Sequence, residues 1–253
     1  MSMPSVDIIV PMYNPGAYIC DTLDSLLAQT YSNIKILLID DASSIPLDFL
    51  KKYILLDKIY YFKLPSNSGG GGARNFGLSM STAEYVAFCD SDDIWPQDKL
   101  RVQMEFMLQN NLSITHMDIY IPSAKKLITT QPVITLVDYL KFTQLYCSTV
   151  CLVGDLARAH KFGNMKKRHP FRYWISIMES GVHSMRVPDI FVKYIIRDNS
   201  VSSGKFSTFL YTFTAYLIYP KNKIQSVWYF FVRSAQGFTN GGRLFGYRQN
   251  KSK

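Results

Sequence analysis

Short apolar runs alternate with helical patterns through the first 95 residues, and this alternation limits the possible folds more than any other feature of the sequence. Strand-like runs cover 6–11, 34–39, 59–64 and 85–89. A bounded apolar run of this length fits a strand buried on both faces, and parallel strands need a crossover between them. The sequence therefore predicts an α/β fold of βαβ units around a mostly parallel sheet.

Caps and apolar stripes predict the helices between these strands. Asn14 and Pro15 are typical of an N-cap followed by the first helical position, so a helix is expected to begin there. Further helices are predicted over 46–54, 73–80, 96–109, 136–142 and 171–179. Later strands are predicted at 113–121, 149–153 and 190–196. No linker divides the chain, so we predict one domain over 1–198, with halves at 1–95 and 96–198.

Composition excludes several classes of protein. With 47% hydrophobic residues among 253, the chain can bury a core, which excludes wholesale disorder. Its four cysteines are too few and too irregularly spaced for a disulfide framework or a zinc site, so reduced thiols are expected. The N-terminus has no basic segment followed by a long apolar stretch, so no signal peptide and a cytoplasmic location are expected.

Two acidic clusters follow predicted strands. Asp40 and Asp41 come after the strand 34–39, and Asp90-Ser91-Asp92-Asp93 follows the strand 85–89. Ligands of open α/β sheets bind outside the carboxyl ends of the strands, so both clusters are expected on one edge. Adjacent carboxylates repel one another unless a cation or protons neutralise them, and Mg²⁺ or Mn²⁺ is typically held by one or two carboxylates with substrate phosphates. The pattern indicates a metal site, with a solvated acidic turn as the alternative.

A run of four glycines, Gly69–Gly72, precedes Ala73-Arg74-Asn75. A dinucleotide fingerprint needs glycine at i, i+2 and i+5, and a Walker A loop needs lysine after its second glycine; neither spacing is present. The run instead predicts a flexible loop leading into a helix whose first turn presents Arg74. That arginine is either an anion contact or an ordinary surface residue.

Five motifs, in order and at family spacing, resemble glycosyltransferase family 2. They are Val6-Asp-Ile-Ile-Val-Pro-Met-Tyr-Asn14, Leu26-Leu-Ala-Gln-Thr-Tyr31, Ile39-Asp-Asp-Ala-Ser43, Asn67-x-Gly69-x3-Ala73-Arg-Asn75 and Tyr85-Val-Ala-Phe-Cys-Asp-Ser-Asp-Asp93. They cover roughly residues 6–100, and a weaker match continues through Ser148-Thr149 and Ser200-Val-Ser202. The resemblance implies a GT-A fold over 1–198, a Rossmann-like sheet flanked by helices. It also implies a nucleoside diphosphate sugar across the carboxyl edge and transfer with inversion in a single displacement.

The resemblance also implies roles for individual residues. Tyr13 would lie against the nucleotide base, Asp41 would hydrogen-bond that base, and Arg74 would contact the nucleotide or the diphosphate. Asp90 and Asp92 would be the Asp-x-Asp pair, with Asp92 on Mn²⁺ or Mg²⁺ and Asp90 towards the ribose. The other predicted residues are Asp93 as a third metal candidate and Pro11, Asp40, Ser91 and Arg197 in the donor site. Arg197 reaches the diphosphate or is a solvated loop residue.

The general base is not where the family pattern would have it. Relatives usually carry an aspartate four residues before a tryptophan, and counting back from Trp174 leads to Pro170. Three explanations compete: His169 is the base, since imidazole titrates near the right pH; a carboxylate such as Glu179 or Asp189 reaches the site; or the protein binds the donor without efficient transfer.

Residues 199–253 form a basic and aromatic tail. They contain eight Lys or Arg, thirteen aromatic residues and no Asp or Glu, whereas residues 1–198 are nearly neutral. The uncharged aromatic stretch 206–219 is too short and too polar to predict a spanning helix. Helices of this composition suit the headgroup region of an anionic leaflet, so peripheral membrane attachment is expected. The alternative is that these aromatic residues cover the domain's own core or form a dimer contact. The tail contains no recognised nucleic-acid-binding module, so nucleic-acid binding is not predicted.

Together these features predict a metal-dependent, inverting glycosyltransferase on the inner face of the cell membrane. It would transfer a sugar from a nucleoside diphosphate sugar, with uridine the commonest base in the family, to a lipid-linked or surface glycan. The alternative is a sugar-nucleotide-binding or membrane scaffold protein that lost turnover with the carboxylate at 170. The sequence specifies neither the sugar nor the oligomeric state.

Overall fold

The computed structural model describes residues 3–142, 145–163, 169–195, 205–218 and 222–239. Within these ranges one sheet contains nine strands. They are β1 (Val6–Met12), β2 (Ile34–Asp40), β3 (Ile59–Lys63), β4 (Tyr85–Phe88), β5 (Ile114–Ile121), β6 (Lys126–Ile128), β7 (Val133–Ile134), β8 (Cys151–Val153) and β9 (Ser184–Lys193). The order across the sheet is β3-β2-β1-β4-β8-β5-β9-β7, and β6 pairs with β5.

Helices flank this sheet. They are α1 (Ile19–Leu27), α2 (Lys51–Ile54), α3 (Gly69–Met80), α4 (Lys99–Gln109), α5 (Leu136–Phe142), α6 (Gly154–Arg158), α7 (His169–Met178), α8 (Lys205–Ile218) and α9 (Lys223–Thr239). Side chains alternate between the faces of a strand. Ile9 and Phe88 therefore pack on the side of α3 and α7, whereas Ile8 and Ala87 pack on the side of α1 and α4. The predicted α/β class is confirmed.

Strand direction determines where the site can form. β1 is parallel to β2 and β4, and β2 is parallel to β3. β8 is antiparallel to both β4 and β5, so β5 runs in the same direction as β4, and β9 is parallel to β5. The carboxyl ends of β1 to β5 and of β9 therefore lie on one side of the sheet, here called the carboxyl edge. The sheet is mixed, since β6, β7 and β8 pair antiparallel.

The prediction that α1 begins at Asn14 is wrong, because the helix begins at Ile19. Asn14 adopts a left-handed conformation with φ 45°, and its Oδ1 accepts a 2.8 Å hydrogen bond from the N–H of Ser44. Its own N–H donates to Ser43 Oγ at 2.8 Å. Asn14 therefore joins the loop after β1 to the loop after β2 instead of capping a helix.

The glycine run is helical, not the flexible loop that was predicted. α3 begins at Gly69, which has φ +75°, and includes all four glycines. A Cβ at Gly72 would lie 2.4 Å from Ser68 Oγ, so the close approach of that serine requires glycine there. The first turn of α3 therefore lies at the carboxyl edge and includes Gly70 and Gly72.

Other boundaries also differ from the predictions. Of the helix predicted over 46–54, α2 covers only Lys51–Ile54, after a 3-10 turn at Asp48–Leu50. α4 begins at Lys99 instead of residue 96, after the turn that follows Trp95. β9 begins at Ser184, before the predicted 190, because the strand continues through an irregularity opposite His116 and Asp118. Asp189, in this irregular segment, has φ 59°. The proline at 188 is tolerated because a strand that bulges there does not need every N–H.

The tail contributes two helices that pack on the domain. α9 packs against α8 and α5, and the Tyr216 ring centroid lies 4.7 Å from that of Phe171 in α7. In the part of the chain that the structure describes, no helix combines the length and the apolarity needed to cross a bilayer. The predicted division at residue 198 and the membrane role of the tail stay predictions.

Gly77 of α3 offers a test of this packing. A Cβ at Gly77 would lie 2.6 Å from Ile9 Cγ2 of β1. Gly77→Ala should lower the free energy of unfolding by about 1–3 kcal/mol, because overpacking exceeds the gain in helix propensity. Urea unfolding measures this, with Ser79→Ala on the exposed side of α3 as control. A Gly77→Ala protein at least as stable as the parent would contradict the packing.

Candidate active site

The acidic turn, residues 90–93, follows β4 at the carboxyl edge. Two segments from the second half of the chain hold it there. Ser148 Oγ accepts a 3.0 Å hydrogen bond from the N–H of Asp90 and donates to the Asp93 carboxyl group. The N–H of Ile195, just after β9, donates to the other Asp93 oxygen at 3.4 Å. The turn is therefore fixed by residues far from it in sequence.

Asp93 is buried, with 1% of its surface exposed. Burial raises the pKa of its carboxyl group well above the usual range, and the charges of Asp90 and Asp92 also raise it. The repulsion expected among the three carboxylates is thus relieved partly by a shift of Asp93 towards its protonated form. Because both Asp93 oxygens are hydrogen-bonded inside the fold, its position fits a structural role better than the predicted metal contact.

Arg74 and Asp90 are brought together. The Arg74 guanidinium group forms an ion pair with Asp90 Oδ1 and donates a 2.9 Å hydrogen bond to the carbonyl of Gly70. Arg74 is 5% exposed, and its guanidinium carbon lies 5.6 Å from the centroid of the Phe162 ring. An arginine fixed in this way at the carboxyl edge can meet an anion without losing much side-chain freedom.

The other predicted donor residues occupy different environments. Asp41 is buried, and its Oδ1 accepts hydrogen bonds from the N–H (2.7 Å) and the Oγ (2.8 Å) of Ser68. Asp40 is fully buried, with its carboxylate hydrogen-bonded to the Ser43 N–H and the Tyr61 hydroxyl, each at 2.8 Å. Asp41 therefore lies at the carboxyl edge beside α3, whereas Asp40, the last residue of β2, is buried inside the domain.

Three more predicted residues lie at this edge. The Tyr13 side chain is 51% exposed just after β1, which suits a surface on which a flat base could lie. Pro11 is half-buried within β1. Ser91 is half-buried, and its carbonyl accepts a 3.1 Å hydrogen bond from Thr22 of α1. β1 and the acidic turn thus contribute neighbouring parts of one edge.

Metal binding depends on the acidic turn. Among the residues that the structure describes, no three or more His, Cys, Asp or Glu side chains are grouped as metal ligands. Asp92 is half-buried, Asp90 is paired with Arg74, and Asp93 is buried. This donor set fits Mg²⁺ or Mn²⁺ only in the mode in which one or two carboxylates bind and substrate phosphates and water complete the shell.

The candidates for the general base differ in where the chain places them. β9 begins at Ser184, at the amino ends of the parallel strands, and α7 ends only a few residues before it. The last turn of α7 therefore lies near the amino ends, and its first turn points towards the carboxyl edge. His169 is the first residue of α7, and its side chain lies outside what the structure describes. Glu179 follows the other end of this helix, about 15 Å away. Asp189 is exposed, four residues before β9 ends, about 13 Å from the edge. Arg197 lies outside the described residues.

Sequence reasoning missed several residues that surround the acidic turn. Tyr194 and Tyr146 face each other with ring centroids 5.9 Å apart. Burial raises the pKa of the Tyr194 phenol, and the charges of Asp93, Asp90 and Asp92 raise it further, so this hydroxyl lies close to the turn. Ser148 belongs to the weaker part of the family match, which implies no role for it. No local pattern distinguishes such residues, because only the fold brings them to the turn.

Lys99 also escaped notice. It is fully buried, its Nζ lies 3.6 Å from the Trp95 ring centroid, and the part of the chain that the structure describes offers that nitrogen no hydrogen-bond partner. Burial lowers the pKa of Lys99 to about 8, against the charges of nearby Cys151 and Cys89, which would raise it. The ammonium group rests on an aromatic face between α4 and the sheet.

Comparisons with known proteins agree with this geometry. The family model described as Glycosyl transferase family 2 matches residues 7–158. The chain is 33% identical over 208 residues to the Escherichia coli UDP-Glc:alpha-D-GlcNAc-diphosphoundecaprenol beta-1,3-glucosyltransferase WfgD, covering 79% of this chain and 81% of WfgD.

Two solved structures show the same fold. S. aureus TarS 1-349 in complex with UDP-GlcNAc superposes with a TM-score of 0.73 at 17% identity, over 93% of this chain and 73% of TarS 1-349. The mannosyltransferase PcManGT from Pyrobaculum calidifontis, in complex with GDP-Man and Mn²⁺, gives 0.65 at 14% identity, over 94% of this chain and 76% of PcManGT. The GT-A fold that the motifs implied is confirmed.

The buried Lys99 predicts an unusual pH dependence of stability. Below about pH 8 the amine is protonated in both states; between about pH 8 and 10 the unfolded chain holds a proton that the folded protein has lost. The unfolded state then binds more protons, so the free energy of unfolding rises with pH, by up to about 3 kcal/mol.

Lys99→Met should be more stable than the parent at pH 7 and should lack this rise. Urea titrations from pH 7 to about pH 10 measure both effects. Lys52→Met is the matched control, since Lys52 lies over the Tyr53 ring but is exposed. A parent protein and a Lys99→Met variant with parallel stability curves would rule the explanation out.

Proposed function

The chain belongs to glycosyltransferase family 2, and from that premise we propose that it transfers a sugar, with inversion, from a nucleoside diphosphate sugar to a lipid-linked glycan. The observation that carries the proposal is the acidic turn at the carboxyl edge, with Asp92 beside the Arg74–Asp90 ion pair. Carboxylates that can hold a metal and a fixed guanidinium group are the groups that a departing diphosphate requires.

In this reaction the acceptor oxygen bonds to the anomeric carbon while the bond from that carbon to the diphosphate oxygen breaks. Negative charge develops on the diphosphate, and Arg74 would stabilise it through charge-assisted hydrogen bonds. Mn²⁺ or Mg²⁺, held by Asp92 and Asp90, would supply further positive charge at the same phosphates. Tyr13 would lie against the base and Asp41 would accept a hydrogen bond from it. The UDP-GlcNAc complex of TarS supports a UDP-sugar as the first donor to test.

The proton of the attacking hydroxyl must go to a base. His169 is our candidate, because the first turn of α7 points towards the carboxyl edge whereas Glu179 follows the far end of that helix. Imidazole, with a usual pKa of about 6.5, accepts a proton at neutral pH. Pro170, next to it, occupies the position at which the family pattern has a carboxylate.

The acceptor is proposed by analogy and from the tail. WfgD is named for an acceptor in which a sugar is joined through diphosphate to undecaprenol, and it is similar to this chain over most of both sequences. A lipid of that kind requires the enzyme to work at a membrane surface. The basic and aromatic tail suits peripheral binding to the inner face of the cell membrane.

Donor binding is measured by thermal unfolding with UDP, GDP, dTDP or CMP, each with and without Mn²⁺. UDP with Mn²⁺ at about 100 times the dissociation constant should stabilise the protein by about 2.7 kcal/mol. Asp92→Ala should abolish the shift, because the metal links the protein to the diphosphate. Asp57→Ala, a change to an exposed carboxylate outside the edge, should leave it intact. The donor site as proposed is wrong if no nucleotide shifts the midpoint.

The base is tested by turnover of UDP-sugar with a diphospholipid-linked sugar acceptor. His169→Ala should reduce kcat by about 10²–10⁴-fold and remove the fall in rate below about pH 6.5, without changing the UDP shift. His183→Ala, an exposed histidine beyond the far end of α7, should behave like the parent.

Full activity in His169→Ala would refute the assignment of the base. The absence of a carboxylate at 170 favours one other function, a donor-binding scaffold protein. An inert parent that gains turnover with Pro170→Asp would establish that function instead.

A further inference from the structure

The two tail helices each have a face that packs on the domain. In the part of α8 whose side chains the structure describes, residues 210–218, the buried side chains are Thr212, Ala215 and Tyr216, and in α9 they include Phe230 and Arg233. The Phe213 and Phe230 ring centroids are 5.0 Å apart, which joins the two helices to each other. This part of the tail fulfils the alternative prediction, because its aromatic residues cover the domain's own core.

The opposite faces carry large apolar side chains that are exposed. They recur at helical spacing, with exposed fractions from 42% to 86%: Leu210, Leu217 and Ile218 in α8, and Ile224, Trp228 and Phe231 in α9. We call these six residues the outer face. A surface helix normally has one apolar side, so helices that are apolar on both sides indicate a second apolar partner.

The charge of the tail indicates what that partner is. Residues 199–253 contain eight Lys or Arg and no acidic residue. The Arg233 guanidinium group is buried and donates to the Tyr216 hydroxyl at 3.4 Å, which leaves seven basic positions in addition to it. Pairing of two copies through this face would bring like charges together, whereas anionic headgroups would compensate them. Charge complementarity therefore favours a lipid surface over a second copy.

The helix α8, which carries part of the outer face, is also linked to the site through its inner side. Tyr216 packs on Phe171, and its hydroxyl donates to the carbonyl of Leu140 in α5. Phe171 is two residues from His169, in the first turn of α7, which points towards the carboxyl edge. A tail that rests on a bilayer would therefore hold this end of the site next to lipid.

We propose that the outer face of α8 and α9 docks on an anionic phospholipid surface, with Trp228 and Phe231 at the level of the headgroups, and so presents the site to a lipid-linked acceptor. The presentation to the acceptor rests on the proposed function; the docking does not. Apolar side chains supply burial, and basic residues add attraction that salt weakens.

The test uses the full chain and vesicles of phosphatidylglycerol and phosphatidylethanolamine, without nucleotide. The parent should co-sediment with them, and less so at high salt or with phosphatidylcholine alone. Its three tryptophans make fluorescence selective, because Trp95 and Trp174 are buried whereas Trp228 is 65% exposed. Binding should shift the emission to the blue. Trp228→Phe should keep the binding and lose the shift.

The double variant Trp228→Ser/Phe231→Ser should lose vesicle affinity by about tenfold or more. Leu55→Ser/Leu108→Ser removes two exposed apolar side chains from the domain and should bind like the parent. Circular dichroism and the thermal midpoint check that the first double variant stays folded; if it does not, the fluorescence of the parent and of Trp228→Phe decides.

Three results would overturn the proposal: a parent that stays in the supernatant, a folded Trp228→Ser/Phe231→Ser variant that binds as well as the parent, or a parent dimer that this variant converts to monomers. The last result would make the outer face a contact between copies. Nucleotide-dependent stabilisation, measured without vesicles on the same protein preparations, tests the proposed function separately. If the protein binds vesicles but no nucleotide, the proposed function is wrong and the docking proposal stands.

Discussion

The buried carboxyl group of Asp93 is the constraint on which the rest of the site depends. A carboxyl group inside a protein must be hydrogen-bonded, and its partners here are Ser148 and the N–H of Ile195, both from the second half of the chain. A backbone bridge between Ile94 and Lys193 strengthens the same junction. The acidic turn therefore adopts its shape only when both halves of the domain are folded together.

Three carboxylates in one turn would repel one another, and the fold gives each a different environment. Asp93 is buried with a raised pKa, Asp90 is paired with Arg74, and Asp92 is half-buried at the edge. The pair with Arg74 is itself supported by Phe162, which stacks on Tyr173 of α7 with ring centroids 4.0 Å apart. The residues of the donor site and the helix that carries the candidate base are thus packed against one another. A substitution that shifts one of them is expected to shift the other, because protein interiors are densely packed.

The tail extends this unit outwards. Its inner faces pack on α5 and α7 through Tyr216, so these helices are part of the domain's core as well as its surface. The sequence predicted a basic, aromatic, peripheral segment, and it offered core packing as the alternative. In the structure Tyr216 and Phe230 face inwards and Trp228 and Phe231 face outwards, and the membrane role of the outward residues stays a prediction. Composition could not make this division, because it counts aromatic residues without regard to which side of a helix they occupy.

The sequence by itself determined the α/β class, the family and the places of Asp41 and the acidic turn after their strands, because apolar runs, short motifs and their spacing are local properties. It placed Arg74 in the first turn of a helix, whereas α3 begins at Gly69 and Arg74 lies in its second turn. It misjudged the start of α1 and the glycine run, because the conformations of Asn14 and Ser68 depend on hydrogen bonds to distant residues. Asn14 bonds to Ser44, 30 positions away, and Ser68 bonds to Asp41, 27 positions away; both partners lie in the loop after β2. Only the tertiary structure decided that Asp40, Asp93 and Lys99 are buried, that Ser148 and Tyr194 lie at the turn, and that α7 points its first residue towards the carboxyl edge. The physical reason is that burial, pKa and hydrogen-bond partners depend on distances between segments, and the order of residues along a chain does not contain those distances.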